Sequence, residues 1–174
     1  MLLDAAADAL AQNPGASMAH VARAAGLARA TLYRHFSTRQ ELLAALRAEA
    51  LVRATEAIAA SDFDEASPLA GIRRAIEGLA ALGVRFRAIL LNGADLDPAF
   101  LHERGRVLAP LYDAVRRGQE AGAIRSDVPA QWVVVAMASM LIAAVRTVPA
   151  GTTGDGTVAD LVYGTLMQGV ATRA

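Results

Sequence analysis

Residues 21–36 read VARAAGLARATLYRHF, a pattern of small and apolar residues that predicts two short helices joined by a tight turn. Ala22 is small enough to let the helices cross closely, and Gly26 can adopt the left-handed backbone conformation that such a turn requires. Leu32 and Phe36 are four residues apart, which places them about 40° apart on one helical face. This spacing is that of a helix-turn-helix, whose inner face is formed by Val21, Leu27, Leu32 and Phe36.

Residues 38–43, which follow directly, read TRQELL and carry a strong helix-start signal. Thr38 and Glu41 are spaced as a capping box, in which the hydroxyl and the carboxylate satisfy free main-chain N–H groups. The box opens a long helix expected over about 39–60. Upstream, Ser17 is placed to cap the first helix of the pair, and residues 13–15 (Asn-Pro-Gly) end an earlier helix that begins near residue 2.

The outer face of the second short helix has the chemistry of a DNA-reading surface. The first residues of a recognition helix contact base edges in the major groove. Arg29 can bond bidentately to guanine, Ala30 can meet a thymine methyl group, and Thr31 can reach a base or a phosphate. Tyr33, His35 and Arg39 are suited to phosphates, which set register without reading sequence. The candidate DNA contacts are Ser17, Arg29, Ala30, Thr31, Tyr33, Arg34, His35 and Arg39.

The charge distribution supports a local rather than a global attraction to nucleic acid. All 17 basic residues are arginines, and 17 acidic residues balance them, so the net charge is zero. The segment 17–47 nevertheless contains five arginines and a single acid, Glu41. Such a cluster in a neutral chain is an electrostatic footprint for phosphates. The chain has no cysteine, which excludes disulfides, thiolate zinc sites and cysteine nucleophiles.

The remainder of the chain is predicted to be helical as well, which gives an all-α fold. Helices are expected over 69–91, with a bend near Gly83, and over 99–121, 130–149 and 157–172. A boundary near residue 60 divides a helix-turn-helix domain (1–47, with the connecting helix 39–60) from a second helical domain (61–174).

Residues 128–145 lack any charged side chain, and this length is close to the lower limit for a bilayer span. Pro129, Gln131 and Ser139 interrupt the apolar run. A helix buried in the core or between two subunits explains the segment with less strain than a membrane span, so we expect no membrane partner.

The stretch 21–36, followed by 38–43, resembles the DNA-binding signature of the TetR family of one-component bacterial transcription regulators almost position for position, and residues 2–6 resemble that family's first helix. The resemblance implies an all-helical cytoplasmic homodimer that binds a palindromic operator in double-stranded DNA, with no cofactor and no metal. It also implies a C-terminal cavity for an effector, whose binding shifts the far end of helix 39–60 and releases the DNA. The protein would then be a repressor.

The resemblance also suggests which residues form the cavity and the subunit interface. Large apolar and methionine side chains on 69–147 are candidates for the cavity wall, and they favour a small hydrophobic or aromatic effector. The candidate wall residues are Phe86, Leu90, Leu108, Tyr112, Trp132, Met137 and Met140. The candidate interface residues on the last two helices are Ala136, Ala143, Ala144, Leu161, Gly164 and Gly169.

Three features depart from the family pattern. Ala28 stands where the recognition helix usually has a capping Ser or Thr, and alanine cannot cap. Leu10 occupies a position usually held by phenylalanine. A basic arm commonly precedes the first helix in the family, whereas here the predicted helix begins directly after Met1.

Two other functional classes are compatible with a small helical chain. A helical protein–protein interaction module could use the same hairpin as a docking surface without reading DNA. An enzyme is the less favoured class, because no set of acid, base, nucleophile or metal ligands emerges: His102, for example, precedes Glu103 but lacks the second histidine of a zinc-protease helix.

Overall fold

The computed structural model describes residues 2–63, 67–147 and 157–170, and these fold as α-helices and one short 3₁₀ turn, with no β-strand among them. The all-α prediction is confirmed. The helices are α1 (Leu2–Gln12), α2 (Met18–Ala24), α3 (Arg29–His35), α4 (Arg39–Ala59), α5 (Pro68–Arg85), α6 (Arg87–Leu91), α7 (Pro98–Val107), α8 (Ala109–Glu120), α9 (Ala130–Thr147) and α10 (Val158–Val170).

The predicted helix starts in the N-terminal part are formed by the expected side chains. The Ser17 hydroxyl oxygen accepts a hydrogen bond from the main-chain N–H of His20 at 3.2 Å. The Thr38 hydroxyl oxygen accepts from the N–H of Glu41 at 3.1 Å, and the Glu41 carboxylate accepts from the N–H of Ser37 at 2.7 Å. As predicted, Ala28 at the start of α3 makes no side-chain cap.

Two predicted helices are divided in the structure. The expected bend near Gly83 lies instead at Phe86, where α5 ends and α6 begins. The expected single helix over 99–121 is broken at Leu108. Pro110 explains this break, because it has no N–H to donate to the carbonyl of Arg106 and its ring crowds that carbonyl.

Two hydrophobic cores hold the helices together. The C-terminal core lies among α5, α8, α9 and α10. The N-terminal core is formed by α1–α4, but it also contains Phe86, Ile89 and Leu90 from the α5–α6 break and Val145 from α9. The division between the cores therefore does not fall at residue 60, because the segment around α6 packs into the helix-turn-helix unit.

Ion pairs also connect the N-terminal helices to later ones. The Arg85 guanidinium of α5 lies 3.1 Å from a carboxylate oxygen of Asp4 and 3.0 Å from one of Asp8, both on α1. Arg47 of α4 lies 2.9 Å from a carboxylate oxygen of Asp97, which also caps α7. The orientation of the first three helices is thus linked to that of α5 and α7.

Helix α9 is long and apolar enough to cross a membrane, with a mean hydropathy of 1.5 over its 18 residues. One of its faces is nevertheless buried against α5, α8 and α10, which is the arrangement of a core helix. The residues on that face are Val133, Val134, Met137, Ala138, Leu141, Ala144 and Val145. The ends predicted for α9 and α10, at 149 and 172, lie outside the described residues.

Candidate DNA interface and ligand cavity

The turn between α2 and α3 has the geometry that the sequence predicts. Gly26 adopts a φ of 68°, the left-handed conformation that glycine tolerates best. The N–H of Leu27 donates to the carbonyl of Ala22 at 2.8 Å and closes the turn. Val21, Ala22 and Leu32 are almost completely buried between the two helices. This packing fixes the angle of α3 against the rest of the unit.

Helix α3 presents a continuous face to solvent. Arg29, Ala30 and Arg34 are exposed, Tyr33 is 36% exposed, and Thr31 is half-buried at the edge of this face. The Arg29 guanidinium carbon lies 5.2 Å from the centre of the Tyr33 ring, one helical turn away. The ring therefore restrains the arginine while leaving its outer donors available.

The positive charge is concentrated on α2 and α3. Within the part of the chain that the structure describes, no carboxylate forms an ion pair with Arg29 or Arg34. Arg23 on α2 approaches only the ring nitrogen of His20, at 3.2 Å. Arg47, by contrast, is neutralised by Asp97. The cluster of arginines read from the sequence is thus smaller than predicted, but it lies on the surface that would face DNA.

Arg39 has a different environment from the one that its predicted phosphate contact requires. Its guanidinium group donates to the main-chain carbonyl of Pro14 at 2.5 Å and to that of Ala16. The side chain is half-buried, and it joins the start of α4 to the loop that leads into α2. Arg39 therefore positions Ser17 and the rest of α2 rather than standing free for a phosphate.

Two other predicted contacts lie at the margin of the face. Ser17 is exposed, although its hydroxyl oxygen is already engaged as the cap of α2. His35 is exposed beside a shallow depression that also includes Asp4, Glu49 and Arg53.

An apolar cavity of about 120 Å³, partly open to solvent, lies between the two cores and is lined by residues of α4–α7 and α9 and of the break at Leu108. Phe86, Leu90 and Leu108 line it, as predicted. Helix α4 contributes Ala50, Leu51 and Ala54, none of which the sequence interpretation included. That interpretation treated α4 only as a connecting helix, and its small residues carry no signal of a wall.

Four predicted wall residues do not line this cavity. Met137 is 1% exposed and is packed inside the C-terminal core. Tyr112 and Met140 pack against the outside of that core, and Tyr112 borders a separate surface depression. Trp132 is 58% exposed on α9. Residue type identified these side chains as candidates, but the direction in which each helix faces decides which of them reach the cavity.

The comparisons with known proteins agree with this geometry. A family model described as bacterial regulatory proteins of the tetR family matches residues 2–46. The HTH-type transcriptional regulator NfxB of Pseudomonas aeruginosa is 31% identical over 137 residues, which are 74% of this chain and 71% of NfxB. The chain belongs to the TetR family of bacterial regulatory proteins. It is accordingly a DNA-binding transcriptional regulator.

Solved structures of TetR-family regulators share the fold over nearly the whole chain. The TetR-like regulator LfrR of Mycobacterium smegmatis, in complex with proflavine, has a TM-score of 0.73 at 23% identity and covers 99% of this chain and 96% of its own. The regulator PfmR of Thermus thermophilus has a TM-score of 0.72 at 24% identity, with 95% of this chain and 94% of PfmR covered. The C-terminal helices therefore have the TetR-family arrangement, although the family model stops at residue 46.

The last two described helices of this TetR-family chain carry an outward-facing surface. Of the predicted interface residues, Ala143 and Leu161 are exposed and Ala136 is half-buried. Gly164 and Gly169 have open space where a side chain would stand. Ala144 is only 7% exposed and belongs to the C-terminal core, so it is unavailable to a second subunit. The surface also includes Trp132 and Val135, which the sequence interpretation did not assign to it.

No metal site accompanies these features in the described residues, since no three His, Asp or Glu side chains there are grouped to hold an ion.

Proposed function

We propose that this TetR-family chain is a repressor that binds a palindromic operator as a homodimer and releases it when a small apolar effector enters the cavity. The observation that carries the DNA-binding part is the exposed face of α3. Two arginines on that face, Arg29 and Arg34, have no carboxylate partner among the described residues, and a buried hairpin holds them in place.

The proposed readout follows from the order of side chains along α3. Arg29 lies at the first position of the helix, where it can approach guanine in the major groove. Ala30 is small enough to let a thymine methyl group approach. Arg34 and Tyr33, about one turn further on, are placed for phosphates on either side of the groove.

The proposed homodimer rests on the exposed apolar side chains of α9 and α10. Val135 and Leu161 are each 50% exposed, and Trp132 is 58% exposed. Large apolar side chains are more often covered than grouped in water, and a second copy of the same surface would cover them. Two α3 helices about 34–36 Å apart would then enter successive major grooves of one operator.

The proposed coupling follows from the position of the cavity between the two cores. Phe86, Ile89, Leu90 and Val145 line the cavity and also belong to the N-terminal core. An effector that displaces them would act on α1 and α4 together, and through them on the spacing of the two recognition helices. The effector must bind the DNA-incompetent arrangement more tightly for this shift to occur.

The remaining assignments follow from this role. The protein is proposed to act in the bacterial cytoplasm, where its DNA target is located. No catalytic activity is proposed, since the family and the relatives that the chain matches are regulators of transcription.

DNA binding can be tested with a matched pair of variants. An operator is first selected from random duplexes, and affinity is then measured at several salt concentrations. Arg29→Ala combined with Arg34→Ala should lower affinity and reduce the slope of log affinity against log salt, because fewer counterions are released. Arg106→Ala, which removes an exposed arginine on α7 that pairs with Glu103, should bind as the parent does. Equal binding by both variants would contradict the assignment of this surface.

The homodimer can be tested with a second matched pair. Val135→Arg places a charge in the proposed interface, whereas Val52→Arg places it on α4, where the valine is 54% exposed. Light scattering should show a monomer for the first variant and a dimer for the second. A parent protein that is monomeric at micromolar concentration would remove the two-half-site geometry.

A further inference from the structure

Helix α2 carries two polar side chains that are not among the predicted DNA contacts. Its inward side is packed into the N-terminal core through Val21 and Ala22. On the outward side Arg23 is exposed and His20 is half-buried, and the exposed neighbour Ala19 is small enough to let a DNA backbone come close. The first helix of a helix-turn-helix crosses the DNA backbone, while the second enters the groove. Arg23 and His20 are therefore placed for phosphates rather than for bases.

Arg23 and His20 are joined by a hydrogen bond that exists only while the imidazole is neutral. Nη2 of Arg23 lies 3.2 Å from Nδ1 of His20. A guanidinium group can only donate, so Nδ1 is the acceptor, and it can accept only in the neutral ring. A proton at Nδ1 would remove this hydrogen bond and leave two positive groups side by side. The pair thus responds to pH in the range where histidine ordinarily changes its charge, between about pH 5 and 8.

The carboxylates on the helices around α2 are already engaged elsewhere. The charged and titratable side chains of these helices are Asp4 and Asp8 of α1, Arg29, Tyr33, Arg34 and His35 of α3, and Arg39 and Glu41 at the start of α4. Both aspartates pair with Arg85, and Glu41 accepts from the N–H of Ser37. Within the described part of the chain, no carboxylate forms an ion pair with Arg23 or His20.

A DNA phosphate would supply the acid that the protein does not place beside this pair. Its anionic oxygens can accept from the guanidinium of Arg23 and from a protonated imidazole at the same time, and both hydrogen bonds are then charge-assisted. We propose that Arg23 and His20 form a phosphate contact on α2 and that His20 takes up a proton from solvent when this contact forms. The proposal rests on the proposed function for the orientation of the helix-turn-helix unit on DNA. It adds a contact on a second helix and a pH dependence of operator binding.

The experiment compares operator binding at about pH 5.5 and about pH 8, on either side of the histidine range, for variants of all three histidines of the chain. The operator is a duplex selected from a random pool with the parent protein, and affinity is measured at several salt concentrations at each pH. One charged contact of this kind should make the parent bind about two- to fivefold more tightly at the lower pH. The additional phosphate contact should also steepen the slope of log affinity against log salt by up to about one unit.

His20→Gln is the decisive variant, and the other two histidines are its controls. Glutamine keeps a hydrogen-bonding side chain without a titratable group, so His20→Gln should lose both the gain in affinity and the steeper salt slope at the lower pH. His102→Gln removes an exposed histidine of α7 and should keep the pH dependence of the parent. His35→Gln, at the end of α3, should leave the share of the pH dependence that belongs to His20. Arg23→Gln should bind less tightly at both pH values, with a salt slope lower by about one unit.

Proton uptake is measured independently by calorimetry in two buffers that differ in their heat of ionisation. Near the middle of the histidine range, at about pH 6.5, His35→Gln should take up a fraction of a proton when it binds the operator, because it keeps His20. His20→Gln should take up less than the parent. The measurement on His35→Gln does not require that His20→Gln folds, and the Tm of each variant shows whether it does.

Three results would overturn the inference: a pH dependence in folded His20→Gln equal to that of the parent, no proton uptake by His35→Gln, or an unchanged salt slope in Arg23→Gln. Each of them leaves the proposed function standing as long as the parent binds the operator and Arg29→Ala combined with Arg34→Ala weakens that binding. A parent protein that binds no duplex in a salt-dependent way would remove both the proposed function and the contact on α2.

Discussion

Arg29 and Arg39 provide a test of how the helix-turn-helix unit divides its arginines between contact and positioning. Both have the same charge and lie near the same surface, but only Arg29 is directed to solvent. Arg39 donates to the carbonyls of Pro14 and Ala16 and holds the loop before α2. We therefore expect Arg29→Ala to affect DNA binding alone and Arg39→Ala to affect folding first.

The expected magnitudes follow from the contacts that each substitution removes. A hydrogen bond with a charged donor contributes about 1.5–3 kcal/mol when it is buried. Arg39 is half-buried and water can replace part of each bond, so its two bonds together should contribute about 1–3 kcal/mol to the free energy of unfolding. For a chain of this length that is a fall in Tm of about 2–4 °C per kcal/mol. Arg29→Ala should change stability by less than about 0.5 kcal/mol, because its side chain is exposed.

The two substitutions should rank the other way in their effect on DNA affinity, which Arg29→Ala should lower more than Arg39→Ala. Arg29→Ala should weaken operator binding by about 1–3 kcal/mol and relax preference at one base position. Arg39→Ala should weaken binding to all duplexes modestly, because the loop before α2 loses the side chain that holds it, and it should change the salt slope little. Arg39→Lys keeps the charge but cannot reach both carbonyls, so it should lose part of the stability and keep the parent's salt slope.

The assays are urea or thermal unfolding at one fixed protein concentration and operator titrations over a range of salt. The reasoning fails if Arg39→Ala unfolds as the parent does while its salt slope falls by about one unit, the signature of a lost phosphate contact. Arg39 would then contact DNA in solution, as the sequence alone suggests.

Three further outcomes follow from local geometry. Gly26→Ala should lower the free energy of unfolding by about 1–2 kcal/mol, because the turn holds residue 26 at a positive φ. Gly105→Ala should raise it by about 0.5–1 kcal/mol, because residue 105 lies within the helix α7, where alanine is favoured over glycine. Chemical denaturation of both variants measures the two opposite changes. The main-chain N–H and the hydroxyl of Thr157 donate to the Asp160 carboxylate and hold its pKa below the ordinary 3.8. Asp160→Asn should therefore lower Tm at neutral pH, and its difference from the parent should disappear as the pH falls below about 4, where the carboxylate becomes protonated. Equal differences in Tm at pH 7 and pH 3 would contradict this. Arg85→Gln removes both ion pairs to α1 and should lower stability by up to about 1 kcal/mol at low salt, an effect that unfolding in high salt should abolish.

The features that could be predicted from the sequence depend on short-range interactions. The capping box at Thr38 and Glu41, the left-handed turn at Gly26 and the inward direction of Leu32 each involve residues within about one helical turn. The same is true of the break at Pro110, which the sequence contains but our interpretation did not use. Such short-range contacts can form in any tertiary context, because the two partners are always separated by the same few residues of the chain.

The features that only the tertiary structure decided depend on partners far apart in sequence. Arg39 meets a carbonyl 25 residues away, and Arg47 meets a carboxylate 50 residues away. Trp132 and Met137 are both large residues on the same apolar helix, yet one is exposed and the other is buried in the core. Apolar periodicity predicts that a helix has a buried face, but not which neighbour covers it. The cavity is lined jointly by α4–α7 and α9, and its small residues are ordinary in each helix alone, so only the packing of these helices against one another reveals it.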